Sequence, residues 1–561
     1  MKKILKKIIP LLLVLSFMLA GCTTGTTKSS TEESTSNEQV AEQGNKKVFR
    51  YAEEAEPTIL DPHKSFNPIS LDITYAVYEG LTRVYDGEVL PGMAESWDVS
   101  EDGLTYTFHL RDAKWSDGEP VTAEDFTYSF ERLFNPDTLS DYGNFAVYFE
   151  GGEDYWEGKT TDFSTVGVKA LDDKTLECKL VVPKKYFLNL MGFGAFHPVR
   201  QDYIEKYGES YGSDPEKAVY NGPFILKEWK HEESLLEVKN DDYWDKDNIH
   251  LDEVQISIVN NPATRVNMYE TDELDFTQLT KTDIPSYEKG SKVNIQPNSS
   301  IYWLQYQVNH KDPKKAAFLG NKNFRKALGW AIDRRAIADS VLADGSLPAT
   351  RLVPATIQGL NKKHAEEYSI GEEYFPTTAN IEKANEYLDL ALQEIGKKKE
   401  EMPTFEILVD DSESARLITE AIQDMFDKNL GVKMEIKAVT SSQKWDEMGN
   451  NNFDIMYAGF GPDFNDPVNY LDTWTLDGGY NVMGWENKEY EELVRFINTT
   501  NDNQARADAI DKAEKIFLDE VVFNPIFFGT AVYTQKDTVK GLLRDSTGMD
   551  INYIYVDIVN E

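Results

Sequence analysis

A regular alternation of strand-like and helix-like segments between Pro403 and Ala458 constrains the fold more than any other feature of this chain. Short apolar runs predict strands at 405–409, 433–439 and 453–458, and an amphipathic helix is predicted from about Glu413 to Lys428. This β-α-β-α-β order calls for a mostly parallel sheet with helices packed against it. Period-two patterns predict further strands at 104–111 and 254–259. We therefore expect an α/β protein, mixed α+β in its first half.

Three further helices are predicted from apolar periodicity and capping residues. Thr122, with Asp125 three residues later, resembles a capping box at the start of one helix. Asn323–Leu342 reads as one long amphipathic helix, and Ile381–Ile395 as another that ends at Gly396.

The N-terminus has the pattern of a bacterial lipoprotein signal. Four lysines precede an apolar run from Ile8 to Met18, and Leu19-Ala20-Gly21-Cys22 forms a lipobox. We expect residues 1–21 to be a signal peptide and Cys22 to carry a diacylglyceryl anchor. An ordinary secretory signal with a chance cysteine is the alternative. The lipobox predicts a protein held by lipid on the extracytoplasmic face of a bacterial cell membrane.

Composition limits the partners of the chain. Residues 22–47, rich in Thr, Ser, Glu and Gln, predict a flexible tether after the lipidated cysteine. The whole chain carries 97 acidic and 58 basic residues, a net charge of −39, so nucleic acid is not an expected partner. Cys178 is the one cysteine besides Cys22, which excludes an internal disulfide, and its strand-like surroundings predict burial.

The segment from Phe453 to Pro467 is the strongest candidate for a binding site. A buried strand runs into a stretch with Gly459 and Gly461, where another backbone could approach closely, and Asp463 follows. Ligands of open α/β sheets bind beyond strand ends, which favours Asp463 as a ligand-binding acid. A helix N-cap or a turn residue is equally compatible with this pattern.

Motifs of catalysis and of metal or phosphate binding were not found in the sequence. There is no nucleophile elbow, no His-Glu-x-x-His, no P-loop and no Cys/His cluster with zinc spacing. We therefore expect a protein that is not an enzyme and needs no cofactor or metal.

Several motifs resemble the peptide/nickel class of extracellular solute-binding proteins. The long match runs from Ala94 to Arg111 and on from Ala113 to Phe126. Shorter matches follow the same order along the chain: 60–64, 168–173, 221–224, 242–245, 325–334 and 458–460. Within this class the chain looks closest to oligopeptide-binding lipoproteins of ABC importers, and the resemblance covers essentially the whole mature body.

The resemblance implies a two-lobed fold of the periplasmic-binding-protein type, with a hinge and an extra subdomain. By the matches, lobe one holds residues 48–297 and 522–561, with the subdomain at about 80–199, and lobe two holds 298–521. It also implies a monomer that captures peptides in extended form and delivers them to the membrane subunits of an ABC permease.

The resemblance also assigns roles to individual residues. The position of Asp463 matches the aspartate that pairs with the α-ammonium of the peptide. The peptide backbone would bind main-chain groups of Gly459, Phe460 and Gly461 on lobe two, and of Lys64, Ser65, Phe66 and Asn67 on lobe one. Tyr142 and Trp445 are expected to lie near the peptide.

The chain departs from the family pattern where some members hold the peptide carboxylate. Those members place basic residues around the position of Tyr457, whereas here the neighbours are neutral or acidic. Arg416 is a weakly placed substitute, so recognition of the C-terminus stays open.

Other functions compete with peptide import. The protein could bind another solute of the class, such as a nickel chelate, a sugar or an opine, although an ammonium anchor does not suit a neutral sugar. It could instead be a receptor for signalling peptides. An extracellular hydrolase has no catalytic motif in its favour.

Overall fold

The structure is a computed structural model that describes residues 46–65, 67–287, 293–476, 478–544 and 549–559. The predicted signal peptide, Cys22, Phe66 and almost all of the predicted tether lie outside these residues. The described part contains the following strands: β1 Val48–Glu53, β2 Thr82–Tyr85, β3 Glu88–Pro91, β4 Ala94–Val99, β5 Thr105–Leu110, β6 Val168–Asp172, β7 Thr175–Lys179, β8 Phe224–Lys230, β9 Ser234–Lys239, β10 Glu253–Ile258, β11 Phe276–Gln278, β12 Asn294–Tyr306, β13 Leu347–Pro348, β14 Phe405–Asp410, β15 Met434–Val439, β16 Ile455–Phe460, β17 Phe523–Gln535, β18 Val539–Lys540 and β19 Asp557–Ile558.

The α-helices of the described part are α1 Pro68–Val77, α2 Ala123–Phe134, α3 Gly152–Trp156, α4 Phe187–Leu190, α5 Gln201–Tyr207, α6 Pro262–Glu270, α7 Ile284–Tyr287, α8 Pro313–Leu319, α9 Lys322–Ala331, α10 Arg334–Ala336, α11 His364–Glu367, α12 Ile381–Ile395, α13 Glu413–Leu430, α14 Ser441–Gly449, α15 Val468–Asp472, α16 Lys488–Thr499 and α17 Asn503–Glu520. A π-helical turn, Ile337–Leu342, follows α10 directly.

Two four-stranded sheets are built from the N-terminal half. The first has the order β1-β10-β9-β8, with β1 parallel to β10 and the other pairs antiparallel. The second, β4-β5-β7-β6, is antiparallel throughout. Strand β5 alternates buried and half-buried residues, as its period-two sequence predicts. Cys178 lies in β7 and is fully buried, which confirms its predicted burial.

A seven-stranded mixed sheet carries the candidate site. Its order is β11-β17-β12-β16-β14-β15, and β13 pairs with β17. Strands β12 and β17 are antiparallel partners of 13 residues each, and both are interrupted in register near Pro297–Ile301. β14 is parallel to both β15 and β16, with α13 and α14 as the connecting helices. The predicted β-α-β-α-β unit is therefore confirmed, inside a sheet whose other half is antiparallel.

Capping chemistry places several helices where the sequence predicts them. Thr122 and Asp125 form a reciprocal capping box at the start of α2. Helix α12 has the predicted bounds, with Gly396 in a left-handed conformation at its C-terminal end. Helix α13 extends two residues beyond the prediction, to Leu430.

The single helix predicted for residues 323–342 is wrong. Helix α9 ends at Ala331, Ile332 is extended, and Asp333 caps a new helix by accepting from Ala336 N–H at 2.8 Å. The break turns the fully buried Arg334 inward, where it donates to the carbonyls of Pro525 and Pro376 at 2.6 and 2.9 Å. Amphipathic periodicity continues through the break, so it could not reveal this buried arginine.

Buried apolar side chains form two large cores in the described residues. One core joins the two four-stranded sheets to the near face of the seven-stranded sheet, and the other fills the space between α9, α12, α13 and the far face. No helix within the described ranges is long and apolar enough to cross a bilayer. The same ranges hold no cluster of three or more acidic, His or Cys side chains that could hold a metal ion.

Candidate functional site

Strand β16 delivers the chain to Asp463. The strand begins two residues later than predicted and includes Gly459 and Phe460, so Gly459 lies in a strand and not in a loop. The chain then bends at Asp463, whose N–H donates to Asn469 Oδ1 at 2.7 Å. The next helix, α15, has Pro467 at its N-cap, which removes the N-cap interpretation of Asp463.

A small cavity lies against Asp463. It has a volume of about 30 Å³, enough for about two water molecules. Asp463, Phe464 and Asn465 line one part of it. Residues from the first half of the chain, among them Tyr75 and Phe193, and residues 549, 552 and 554 line the rest. Asp463 keeps some solvent-accessible surface because it faces this cavity.

The Asp463 carboxylate has no cationic partner. Among the ion pairs of the described residues none involves Asp463, whereas the buried acids Asp61, Asp466 and Glu514 each pair with an arginine. Burial raises the pKa of Asp463 to about 6, against the lowering effect of a hydrogen bond with the Asn469 side chain. The free protein therefore holds an acid whose charge is stabilised by too few partners.

Tyrosine side chains surround this carboxylate. Burial is the main reason why the pKa values of five tyrosines are raised, and the charge of Asp463 adds to the shift of each: Tyr75, Tyr142, Tyr148, Tyr470 and Tyr480. Tyr142 packs edge-on against Phe193 of the cavity wall, with ring centroids 4.9 Å apart. Aromatic rings near an unpaired carboxylate suit an organic cation.

One edge of β16 is open next to Asp463. Strands β16 and β12 are antiparallel, and just beyond them Gln307 N–H donates to Asp454 C=O at 2.9 Å. Hydrogen-bonded and non-hydrogen-bonded residue pairs alternate along such a ladder, so Gly459 and its partner Tyr302 form a non-hydrogen-bonded pair. Gly459 therefore points its N–H and C=O away from β12, toward the edge where β14 pairs only as far as Met456. On that edge Gly459 C=O accepts from Tyr480 OH at 2.9 Å, and among the described residues nothing accepts from Gly459 N–H.

Glycine at position 459 is required by a side chain of the protein itself. A Cβ there would lie 2.6 Å from the ring carbons Cδ1 and Cε1 of Tyr302 on the paired strand. A Cβ at Gly461 would meet Ser300 Oγ at 3.4 Å, which is ordinary contact. Contact of either glycine with a ligand stays a prediction. The need for glycine at 459 is already explained by the Tyr302 ring, which approaches its backbone closely.

Phe460 and Trp445 both lie beside Tyr480. The Phe460 ring is edge-on to Tyr470 and Tyr480, at 5.4 and 5.9 Å. Trp445, in α14, is 43% exposed and its ring is 6.0 Å from that of Tyr480. Tyr480 thus connects Trp445 to the open edge at Gly459.

The predicted lobe-one residues have internal partners. Ser65 is buried and its Oγ donates to Ile59 C=O at 2.7 Å. Lys64 Nζ lies 2.7 Å from Glu209, and Asn67 caps α1 by accepting from Ser70 N–H at 2.8 Å. None of these three residues lines the cavity at Asp463, so their contact with a ligand stays a prediction.

No basic side chain takes the place that Tyr457 occupies. Tyr457 is buried and its ring stacks on Tyr302 at 6.2 Å. Arg416 has a 58% exposed side chain and lies 3.8 Å from Glu420 on the same helix.

A second cavity, of about 300 Å³, adjoins the first and shares Asn189 and Asn465 with it. Among its lining residues Arg506 pairs with Asp466 at 2.9 Å, and Lys185 contributes a further positive charge. A roomy space with one lysine in its wall therefore adjoins the cavity at Asp463.

Sequence analysis missed most of the aromatic residues of the site. Tyr75, Tyr148, Tyr470 and Tyr480 come from separate segments of the chain, which has 29 tyrosines. No local pattern distinguishes these four, since only the fold brings them to one carboxylate.

Comparison with known proteins supplies the family. The family model described as "Bacterial extracellular solute-binding proteins, family 5 Middle" matches residues 88–482. The oligopeptide-binding protein OppA of Bacillus subtilis (strain 168) is 34% identical over 502 residues, which cover 88% of this chain and 89% of that protein.

Solved structures give the same result. Listeria monocytogenes OppA bound to peptide has a TM-score of 0.75 at 32% identity, covering 92% of this chain and all of that one. The pheromone receptor PrgZ, solved in a study of its mode of peptide binding, has a TM-score of 0.77 at 27% identity, again with 92% and 100% coverage. These likenesses confirm the predicted mixed α/β, two-lobed fold. The chain belongs to family 5 of the bacterial extracellular solute-binding proteins.

Proposed function

We propose that this protein captures peptides with a free N-terminus, in extended form between its two lobes, and delivers them to an ABC-type permease. The observation that carries the proposal is the unpaired Asp463 carboxylate facing a cavity of about 30 Å³. The names of its relatives, an oligopeptide-binding protein and a peptide-bound OppA, support the same function.

The α-ammonium of a peptide supplies what Asp463 lacks. An ammonium group is close in size to a water molecule, so it fits the cavity in exchange for water. A charge-assisted hydrogen bond to Asp463 and contact with tyrosine faces would replace the hydration that the ammonium loses. Binding would also return the pKa of Asp463 toward its ordinary value, since a nearby cation favours the carboxylate.

The open edge of β16 suits the peptide backbone. An extended peptide anchored at Asp463 and running back along β16 would meet Gly459 N–H on the edge that β14 leaves unpaired. Main-chain pairing of this kind does not depend on peptide sequence, and the adjoining cavity of about 300 Å³ leaves room for varied side chains and water.

The membrane attachment and the lobe boundaries belong to the same proposal. Lipid on Cys22 and a tether over residues 22–47 would hold a monomeric body at the outer face of the cell membrane, near the permease. We place lobe one at residues 48–297 and 522–561 and lobe two at 298–521. The long paired strands β12 and β17, which begin or end close to these boundaries, suit a hinge.

A receptor for signalling peptides is the second candidate, favoured by the likeness to PrgZ. Mass spectrometry of small molecules released from the purified body separates the two. A mixture of peptides indicates import of many peptides, and one dominant peptide indicates signalling. A metal chelate or a sugar in place of peptides would contradict both.

The ammonium anchor can be tested by changing either partner. Asp463→Ala should weaken binding of a free-N-terminus peptide by about 3 kcal/mol or more, over a hundredfold in Kd, because it leaves a buried ammonium unpaired. N-acetylation of the peptide should cause a similar loss with the wild type and little further loss with the variant. Isothermal titration calorimetry measures all four combinations.

Asp141→Asn is the matched control for the anchor test. Asp141 is an exposed acid next to Tyr142, so it changes charge near the cleft without removing the anchor. Its Kd should stay within a few-fold of the wild type. If Asp463→Ala binds peptide as tightly as the wild type, or if acetylated peptides bind with full affinity, Asp463 does not bind the α-ammonium.

A further inference from the structure

One hydrogen bond on the open edge of β16 is already made within the protein. Tyr480 OH donates to Gly459 C=O at 2.9 Å, on the side where β14 pairs only as far as Met456. Gly459 N–H has no acceptor among the described residues. A guest strand would therefore find the donor of Gly459 free and its acceptor already hydrogen-bonded.

Packing holds the Tyr480 side chain in this position. Its N–H donates to Thr473 C=O at 3.1 Å, and its C=O accepts from the Gln305 side chain at 2.7 Å. Four aromatic rings surround its own ring, with centroids 5.1 to 6.1 Å away: Trp303, Trp445, Phe460 and Trp474. Turning the hydroxyl away from Gly459 would require this packing to rearrange, so we expect the hydrogen bond to persist when a ligand lies on the edge.

Protonation of Tyr480 favours the same arrangement. Burial raises the pKa of Tyr480, and the charge of Asp463 adds to the shift. An ordinary tyrosine already ionises only near pH 10, so this hydroxyl keeps its proton throughout the neutral range. It therefore remains a donor to Gly459 C=O.

The state of this carbonyl decides what a missing peptide N–H costs. A guest strand would ordinarily donate an N–H to Gly459 C=O. A carbonyl that is covered by a ligand and left without any donor loses its hydration without compensation, which weakens binding of that ligand. Tyr480 removes this penalty because it supplies the donor itself. A carbonyl oxygen has two lone pairs, so an ordinary peptide N–H can still approach beside the hydroxyl.

The peptide residue concerned lies near the N-terminus of the guest. Gly459 lies four residues before Asp463, and four residues of chain span at most about 14 Å. An extended peptide held by its α-ammonium at Asp463 covers that distance with its first five residues. The N–H concerned therefore belongs to one of peptide residues 2 to 5, since the nitrogen of residue 1 is the ammonium itself.

We propose that Tyr480 is a specificity-determining residue that lets the protein bind peptides with no backbone N–H at the residue opposite Gly459. Among natural peptides, proline brings about this absence. The inference rests on the proposed function, since it assumes a peptide that is anchored at Asp463 and runs along β16. It makes affinity independent of one more property of the guest, in addition to its side chains.

The test removes single peptide N–H groups without adding bulk. In a set of octapeptides, one of residues 2 to 5 is joined by an ester in place of the amide, and calorimetry compares each with the all-amide peptide. At one of these four positions, the ester should cost at least tenfold more in Kd for Tyr480→Phe than for the wild type, because Gly459 C=O then has no donor. At the other three positions the cost should agree within threefold between the two proteins.

Tyr490→Phe is the matched control for this test. Tyr490 OH also donates to a backbone carbonyl, that of Leu471 at 2.7 Å, and its ring is fully buried. The variant loses the same atom and leaves the same kind of carbonyl without its donor, but at Leu471 and not on β16. Its ester costs should match those of the wild type at all four positions.

The outcomes separate this inference from the proposed function. If the wild type binds neither amide nor ester peptides, the proposed function fails and this inference fails with it. If peptides bind through Asp463 but ester costs agree between the wild type and Tyr480→Phe at all four positions, only the role of Tyr480 is wrong. Loss of all peptide binding in Tyr480→Phe would also contradict that role, because the freed carbonyl should accept from an ordinary peptide N–H.

Discussion

Asp463, the proposed binding residue, shows how an unpaired buried acid can cost stability. Its neighbours are tyrosines and Asn469, and no lysine or arginine offsets its charge in the described part of the chain. By contrast, Glu514 is fully buried but has Arg351 at 2.5 Å and two backbone N–H donors, and its pKa is lowered to about 2. The protein can satisfy a buried acid internally, and at Asp463 it does not.

Asp463→Asn should stabilise the ligand-free protein in a pH-dependent way. Because the pKa of Asp463 is raised from 3.8 to about 6, the folded state binds a proton at this carboxyl group more tightly than the unfolded state does. The stability that this protonation contributes is therefore lost as pH rises through about 6. At pH 7.5 the variant avoids the cost of burying an ionised carboxylate, up to about 3 kcal/mol of unfolding free energy, whereas near pH 4 that cost is already small.

Thermal unfolding of the free protein at these two pH values measures the effect. The midpoint of Asp463→Asn should exceed that of the wild type at pH 7.5 and match it at pH 4, while peptide affinity falls over a hundredfold. Asp141→Asn serves again as the exposed control. If the unfolding midpoint of Asp463→Asn rises equally at both pH values, ionisation of Asp463 is not the cause of the lower stability of the wild type.

At the scale of the element, β16 serves two partners. One edge completes the ladder with β12, and the other is left open beyond Met456. An open edge in the middle of a sheet would invite unwanted strand pairing. Here Tyr480 covers part of the edge, because its OH donates to Gly459 C=O at 2.9 Å.

Gly459→Ala should damage this strand, whereas Gly461→Ala should not. The alanine Cβ at 459 would lie 2.6 Å from the Tyr302 ring, and relief requires a shift that costs about 1–3 kcal/mol. The same methyl at 461 meets Ser300 Oγ at an ordinary 3.4 Å. Denaturant unfolding and peptide titration of both variants check this.

The double variant Gly459→Ala/Tyr302→Ala isolates the clash. Gly459→Ala should lower the free energy of unfolding less when it is introduced into Tyr302→Ala than when it is introduced into the wild type, because the ring that the new methyl would meet is then absent. If the changes in unfolding free energy caused by the two substitutions are additive, the contact with Tyr302 is not the reason for glycine at this position.

At the scale of the whole molecule, an aromatic contact joins distant parts of the chain next to Asp463. The rings of Tyr186 and Phe464 stack at 4.3 Å and 9°. Tyr186 OH and Lys184 Nζ also donate to Asn498 Oδ1 at 3.5 and 3.4 Å. With the lobe boundaries proposed above, these contacts run from lobe one to lobe two, so they would form when the cleft closes.

Phe464→Leu should weaken closure without removing the anchor. Loss of a stacked pair is worth about 0.5–1.5 kcal/mol, which corresponds to roughly two- to tenfold in Kd. Small-angle scattering at one subsaturating peptide concentration should give a larger radius of gyration for the variant than for the wild type, because fewer molecules are closed.

Phe496→Leu is the control for this prediction. Phe496 is 42% exposed and takes no part in the contact between Tyr186 and Phe464. If Phe464→Leu binds peptide within twofold of the wild type and scatters identically, the stacked pair does not contribute to closure.

Much of the fold follows from local patterns. The bounds of α12, the capping box at Thr122 and the parallel pairing of β14 with β15 and β16 were all predicted, because periodicity and caps are properties of neighbouring residues. The helix predicted over 323–342 failed for the converse reason. Its break depends on acceptors for Arg334 at Pro525 and Pro376, which lie far away in sequence.

The sequence alone determined the family resemblance, the strand-and-helix order around β16, and Asp463 as the candidate anchor, since each rests on residues close together in the chain. Only the tertiary structure decided which tyrosines surround Asp463 and that no cation among the described residues forms an ion pair with it. Those properties are sums over contacts between remote segments, because burial and electrostatic potential at a point depend on everything packed around it.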